Sequence, residues 1–106
     1  MINYEQFQQT ELRAATILAA ERVEGSEKLL RLRVSLGEEE RQILAGIGKR
    51  YAPEDMVGRQ IVIVANLEPR MIMGLESQGM LLAADSPDGP VLLMPDRKVP
   101  SGAKIK

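Results

Sequence analysis

The chain has 106 residues, a length typical of one domain with one hydrophobic core. It contains no cysteine and no histidine, which excludes disulfides, thiolate chemistry and the commonest general base. The formal net charge is −1, with 14 Lys and Arg against 15 Asp and Glu, so polyanion binding would require local clusters of positive charge.

Several function classes receive no support from the sequence. The zincin HExxH motif, the Cys-x-x-Cys motif and the GxSxG motif are absent, and no carboxylates stand at a spacing typical of catalysis. We therefore predict a chain that is not an enzyme, with no cofactor and no metal site. The N-terminus lacks the pattern of a signal peptide, and no apolar run is long enough to cross a bilayer, so we expect a soluble, cytoplasmic protein without a membrane partner.

A short helix is predicted at the start of the chain. Asn3 suits the N-cap position, and Gln6 follows three residues later, as in a capping box. Tyr4 and Phe7 then fall on one face of the helix, and we expect them to pin it to the rest of the domain.

Apolar residues, alternating in some segments and continuous at 61–65 and 80–84, predict five strands. The clearest alternation lies at 30–36, where leucines and a valine point one way and Arg31 and Arg33 point the other. These arginines either pair with nearby carboxylates or form a stripe that meets phosphates. The other strands are predicted at 12–23 (where the alanine content leaves a helix as an alternative), 41–47, 61–65 and 80–84. A one-turn helix is predicted at 53–58, between the third and fourth strands, because proline opens it and glycine ends it.

The stretch between the fourth and fifth strands is rich in side chains that can contact a ligand. Pro69, Gly74 and Gly79 interrupt it, and its polar members are Asn66, Glu68, Arg70, Glu76, Ser77 and Gln78. Spacing alone fits either an ordinary surface loop or a binding edge.

The tail beyond residue 85 contains several prolines and an apolar run at 91–94, which we expect to pack on the barrel or on a second subunit.

The same stretch carries a family resemblance. The matching residues are Asn-Leu at 66–67, Pro-Arg at 69–70, Gly74, Glu-Ser-Gln-Gly-Met at 76–80 and Leu-Ala-Ala at 82–84, with further matches at 11–13, 27–30, 36–41, 45–47, 53–54, 57–58 and 95–104. Over nearly its whole length the chain resembles the tRNA-binding domain family, whose members include the C-terminal domain or beta subunit of methionyl-tRNA synthetase and a stand-alone dimeric tRNA-binding protein.

The resemblance implies an all-β fold and a binding function. The implied architecture is a five-stranded OB-fold Greek-key barrel with a short helix between strands 3 and 4, a short N-terminal helix and a C-terminal extension. The implied partner is tRNA, bound at its outer corner by shape and with little dependence on sequence. A homodimer and a supporting role for the methionyl-tRNA synthetase catalytic subunit, in cis or in trans, are also implied.

The family positions carried over to this sequence are predicted to contact tRNA. Lys28 and Arg70 suit phosphates, whereas Asn66, Ser77 and Gln78 suit sugar hydroxyls or phosphate oxygens. Met80 offers a pliable apolar contact, although a methionine at the start of a strand also fits the core. Two weaker additions are Arg13 and Arg31.

The sequence departs from the common family pattern after Arg70. Relatives often place more basic residues before the glycine, but Met71, Ile72 and Met73 stand here instead. We therefore expect weak tRNA binding, since each lost phosphate contact lowers the salt slope by roughly one unit. The remaining phosphate contacts keep the binding salt-sensitive. The apolar residues also suit a protein surface, which leaves a protein-interaction or chaperone-like module as the alternative function.

Overall fold

The computed structural model describes all 106 residues. The chain forms one short α-helix, one 3-10 helix and a series of strands that curve around one core. In chain order these are α1 (Tyr4–Gln8), β1 (Leu12–Arg22), β2 (Leu30–Ser35), β3 (Glu40–Ala45), the 3-10 helix (Pro53–Asp55), β4 (Gln60–Val64), β5 (Arg70–Ile72), β6 (Leu75–Ser77), β7 (Met80–Leu81), β8 (Ala83–Ala84), β9 (Val91–Leu92) and β10 (Lys104–Ile105).

The main sheet is nearly closed into a barrel. Its strands follow the order β3-β2-β1-β4-β7, with β10 also paired to β1. β1 serves both sides of the sheet, because its first half pairs with β4 and its second half with β2, across a register shift between Ile17 and Ala19. The two ends of the path approach each other where the backbone N–H of Gln78 donates to the carbonyl of Gln42 at 2.8 Å. The predicted all-β, OB-fold-like barrel is confirmed.

The core follows the alternation of the sequence. Leu30, Leu32 and Val34 of β2 are fully buried, while Arg31 and Arg33 face solvent. Every residue of β4 is buried, as expected for an apolar strand covered on both sides. Removing a side chain the size of leucine from water contributes roughly 1.5–3 kcal/mol, so these strands supply much of the hydrophobic stabilisation.

The predicted fifth strand is divided in two. Its first part, β7, pairs with β4, whereas its second part, β8, pairs with β9 of the C-terminal tail. The partner changes at Leu82, whose N–H donates to Val62 and whose carbonyl accepts from Leu93. The tail residue Leu92 is buried, so the apolar run at 91–94 does pack on the barrel, but Val91, Leu93 and Met94 remain 38%, 44% and 45% exposed.

The N-terminal helix has the predicted capping box but a different attachment. The Asn3 and Gln6 side chains each accept the other's backbone N–H at 2.9 Å. The expectation that Tyr4 and Phe7 pin the helix is wrong, because these rings are 70% and 42% exposed and no helix residue is buried. A five-residue helix is too short to bury a continuous face. Neither this helix nor the 3-10 helix has the length or apolar character needed to cross a membrane.

Candidate nucleic-acid interface

The stretch between β4 and β7 contains a small hairpin. Its strands β5 and β6 pair Arg70 with Ser77 and Ile72 with Leu75. The turn is formed by Met73 and Gly74, which have φ values of 50° and 79°. Two successive left-handed residues match the twist of a two-residue hairpin, and glycine accepts this conformation at low cost. The predicted loop is therefore an ordered projection, which we call the β5–β6 hairpin (residues 70–77).

Ser77 anchors this hairpin to the barrel. Its side chain is 4% exposed. Its hydroxyl accepts a hydrogen bond from the Leu44 N–H at 3.0 Å and donates one to the Gly79 carbonyl at 2.9 Å. A Cβ on Gly79 would lie 2.9 Å from the Val64 carbonyl oxygen, so only glycine allows the chain to pass this close. The predicted contact of Ser77 with tRNA stays a prediction, and the geometry gives its hydroxyl an internal role.

Gln42 and Gln78 extend this attachment. The Gln42 N–H donates to the Gln78 side-chain oxygen at 3.0 Å, and the Gln42 side-chain amide donates to the Glu76 carbonyl at 2.8 Å. The same Gln42 side chain accepts a hydrogen bond from Nε of Arg31 at 2.8 Å. Gln42 thus connects β2, β3 and the hairpin. Gln42 was not among the predicted site residues, although a polar residue at the start of the apolar run 43–45 was an available signal.

A groove of about 380 Å³ runs along the outer face of β1, β2 and β3 beside Gln78. Its cationic side chains are each held by a carboxylate. The ion pairs, all partly exposed, are Arg31–Glu21 at 3.3 Å, Arg33–Glu40 at 2.5 Å and Arg41–Glu39 at 2.9 Å. Of the two arrangements left open for Arg31 and Arg33, the structure shows paired charges. The groove is therefore close to electrically neutral.

The other predicted contact residues differ in availability. Arg70 is exposed and forms no ion pair, and Met80 is 44% exposed at the start of β7. Asn66 is exposed, but its amide oxygen accepts from the Glu11 N–H at 2.8 Å and its amide nitrogen donates to the Gln9 carbonyl at 2.6 Å. Asn66 thus ties the segment after α1 to the end of β4.

Lys28 and Arg13, two cations predicted to contact tRNA, lie on different parts of the barrel surface. Lys28 is exposed on the β1–β2 loop, which reaches the hairpin tip, since a Cβ on Gly25 would lie 3.7 Å from the Met73 methyl carbon. Arg13 is 3.3 Å from a Glu11 carboxylate oxygen and lines a separate groove with Glu38, Glu39, Ser101 and neighbouring residues. The structure therefore places Lys28 on the loop that reaches the hairpin tip, and it does not bring Arg13 into the groove that Arg31 lines.

Tyr51, one of three aromatic residues in the chain, already has contacts within the protein. It is half-buried against the core, and its hydroxyl accepts the Leu92 N–H at 3.2 Å. The Arg59 guanidinium lies over the ring, 5.7 Å from its centroid. With this ring covered, the candidate interface offers cations and amides. Nowhere in the chain do three or more carboxylates converge in an arrangement that could hold a metal ion.

Comparison with known proteins decides the family. The family model described as a tRNA binding domain matches residues 12–104, which include the barrel strands and the hairpin. The chain belongs to the tRNA binding domain family. A methionine–tRNA ligase of Methanothrix thermoacetophila is 58% identical over 106 residues, covering 100% of this chain and 16% of the ligase. A methionine–tRNA ligase of Thermotoga maritima is 53% identical over 104 residues, covering 98% of this chain and also 16% of the ligase.

Solved structures share the whole architecture. A MetRS-related protein from Pyrococcus horikoshii superimposes with a TM-score of 0.94 at 34% identity, covering 100% of this chain and 98% of that one. The chaperone CsaA from Bacillus anthracis str. Ames gives a TM-score of 0.92 at 38% identity, covering 100% and 99%. The fold of this tRNA binding domain therefore occurs both in a protein related to a tRNA synthetase and in one named as a chaperone.

Proposed function

We propose that this chain binds folded tRNA at the outer corner of the L, through contacts to phosphates and sugars and without reading base sequence. The observation that carries the proposal is the match of the tRNA binding domain model to residues 12–104, the segment that builds the barrel and presents the hairpin. Arg70 supports it, as an exposed cation on the hairpin without a carboxylate partner.

The occupied polar groups favour shape recognition over base readout. Ser77 and Asn66 use their side-chain groups in hydrogen bonds within the chain, and the Arg59 guanidinium lies over the Tyr51 ring. Sequence-specific RNA recognition usually requires splayed bases stacked on aromatic rings and free donors or acceptors for their edges. A hairpin fixed on a barrel instead suits an RNA surface whose phosphates are held at set distances by tertiary structure.

Filter binding with a salt titration tests the proposal. Total folded tRNA should bind at low salt, and log K should fall linearly with log salt concentration, at roughly one unit per phosphate contact. A duplex DNA of equal charge should bind more weakly, because its contour differs. Equal affinity for the two nucleic acids would reject shape recognition.

We also propose that the chain acts without catalysis, as a part or partner of a methionyl-tRNA synthetase in the cytoplasm. It spans only 16% of the methionine–tRNA ligases it resembles, as expected of an accessory tRNA-binding portion. A homodimer is supported by the partly exposed apolar side chains of Val91, Leu93 and Met94 on the tail. Sedimentation should give about twice the chain mass, and a monomer at micromolar concentration would count against the dimer.

A chaperone-like role is the second candidate. It is supported by the 38% identity to a CsaA chaperone of the same fold and by the exposed side chains of Met71 and Met73 on the hairpin. Flexible methionines suit varied apolar partners. If this role is correct, the chain suppresses aggregation of a heat-denatured test protein, and a Met71→Gln/Met73→Gln variant loses that effect. If the wild-type chain does not suppress aggregation, or if the variant suppresses it equally well, the chaperone-like role is rejected.

A further inference from the structure

The cations of the chain divide into two groups. Ion pairs with carboxylates hold one group, which consists of Arg13, Arg31, Arg33, Arg41 and Arg97. Among the cations outside these pairs, four lie on segments that touch one another at one end of the barrel. We call them the loop cluster, and they are Arg22, Lys28, Lys49 and Arg50, all exposed.

Backbone contacts at Gly48 hold the segments of the loop cluster together. The Gly48 N–H donates to the Lys28 carbonyl at 2.7 Å, and the Arg22 guanidinium donates to the Gly48 carbonyl at 2.8 Å. A Cβ on Gly48 would lie 2.7 Å from the Glu27 carbonyl oxygen, so the β1–β2 loop rests directly on this glycine. The end of β1, the β1–β2 loop and the turn after β3 are thereby fixed relative to one another.

Contacts of the Lys28 and Arg50 side chains fix where these two cations lie. The Lys28 stem passes over Gly46, where a Cβ would come within 2.9 Å of the Lys28 Cε. Arg50 is fastened at one nitrogen, which donates to the Asp88 carbonyl at 2.7 Å. Glu24 and Glu27 lie on the β1–β2 loop, and Asp88 lies between β8 and β9, but none of these carboxylates forms an ion pair with a cation of the cluster.

We propose that Arg22, Lys49 and Arg50 join Lys28, which the family resemblance already assigns to tRNA, in a phosphate-binding site that takes the RNA backbone and extends the interface beyond the hairpin. This rests on the proposed tRNA binding. The β1–β2 loop links the two, because Gly25 lies beside Met73 at the hairpin tip. A phosphate approaching the groove must displace a carboxylate from each arginine, whereas one approaching the loop cluster meets cations that form no ion pair, which favours the cluster by electrostatics.

The test compares two double variants with the same net charge. Lys49→Gln/Arg50→Gln removes two cluster cations that the family resemblance does not assign, and Lys98→Gln/Lys106→Gln removes two exposed lysines of the tail. Folded tRNA is titrated at several salt concentrations, and elution from immobilised heparin is measured in parallel. The cluster variant should lower the tRNA salt slope by about two units and elute from heparin at lower salt than the tail variant.

The two readouts separate the two claims. If the wild-type chain binds tRNA but both variants keep the same slope and elution, the loop cluster is rejected and the proposed function stands. If no tRNA binds, the proposed function fails, and the heparin comparison still decides whether the cluster takes a polyanion. Equal elution of the two variants from heparin rejects the cluster in either case.

Discussion

Gln42 and Gln78 are joined by a pair of hydrogen bonds, from the Gln78 N–H to the Gln42 carbonyl at 2.8 Å and from the Gln42 N–H to the Gln78 side-chain oxygen at 3.0 Å. The Gln78 side-chain oxygen thus takes the place of a backbone carbonyl as the acceptor for the Gln42 N–H, between β3 and the segment before β7. The barrel is thus closed at its seam by glutamines, and the hairpin is fixed at the same point.

The first prediction concerns Gln42. Gln42→Ala removes the side-chain links to Arg31 and to the Glu76 carbonyl, and we expect a loss of about 1–2 kcal/mol in the free energy of unfolding. Urea unfolding measures this loss, and hydrogen exchange should show faster opening of the hairpin amides. Gln8→Ala, an exposed glutamine on α1, is the control and should change neither. Equal stability of the two variants would show that Gln42 does not hold the hairpin.

The second prediction separates the two roles open to Ser77. Ser77→Ala leaves the buried Leu44 N–H without an acceptor, which costs about 1–3 kcal/mol of stability. The dissociation constant for tRNA should be unchanged at temperatures where the variant is folded. Ser86→Ala loses a single half-buried hydrogen bond and should cost less. Weaker tRNA binding with full stability would instead assign Ser77 to tRNA contact.

The third prediction concerns Arg70. Arg70→Glu reverses an exposed charge without breaking an ion pair, so the melting temperature should stay nearly unchanged while tRNA affinity and the salt slope fall. Arg97→Glu makes the same charge change at a side chain that is 86% exposed on the tail, and it should leave tRNA affinity close to wild type. If both variants bind equally, the hairpin does not carry the contact.

The fourth prediction uses the neutral groove. Glu40→Gln frees the Arg33 guanidinium from its ion pair, and an unpaired arginine beside the interface should strengthen tRNA binding and steepen the salt slope by about one unit. Glu54→Gln on the 3-10 helix removes the same charge elsewhere and serves as the control. Equal effects of the two changes would mean that only overall charge matters.

The sequence predicted the parts of the fold that depend on local pattern. The alternation around Arg31 and Arg33 placed β2 correctly, and the proline and glycine at the ends of residues 53–58 predicted the 3-10 helix between β3 and β4. The ordered hairpin was not predicted, because its anchor is a contact between Ser77 and Leu44 that lie far apart in the chain.

The division of charges was also beyond sequence reasoning. Arg31 and Arg70 are both arginines on predicted exposed positions, yet one is paired with Glu21 and the other has no carboxylate partner. The loop cluster likewise unites Arg22 with Lys49, which become neighbours only because the chain folds back onto Gly48. Such differences depend on which segments meet in three dimensions, and no local pattern records them.

Dissociation constants measured at one salt concentration for two tRNAs of different sequence, and for an RNA hairpin of equal length without an elbow, test the central claim most directly. The account predicts the same constant for both tRNAs and one at least about tenfold larger for the hairpin, a difference of ~1.4 kcal/mol in binding free energy. Equal constants for all three RNAs, or a large difference between the two tRNAs, would contradict recognition of tRNA shape.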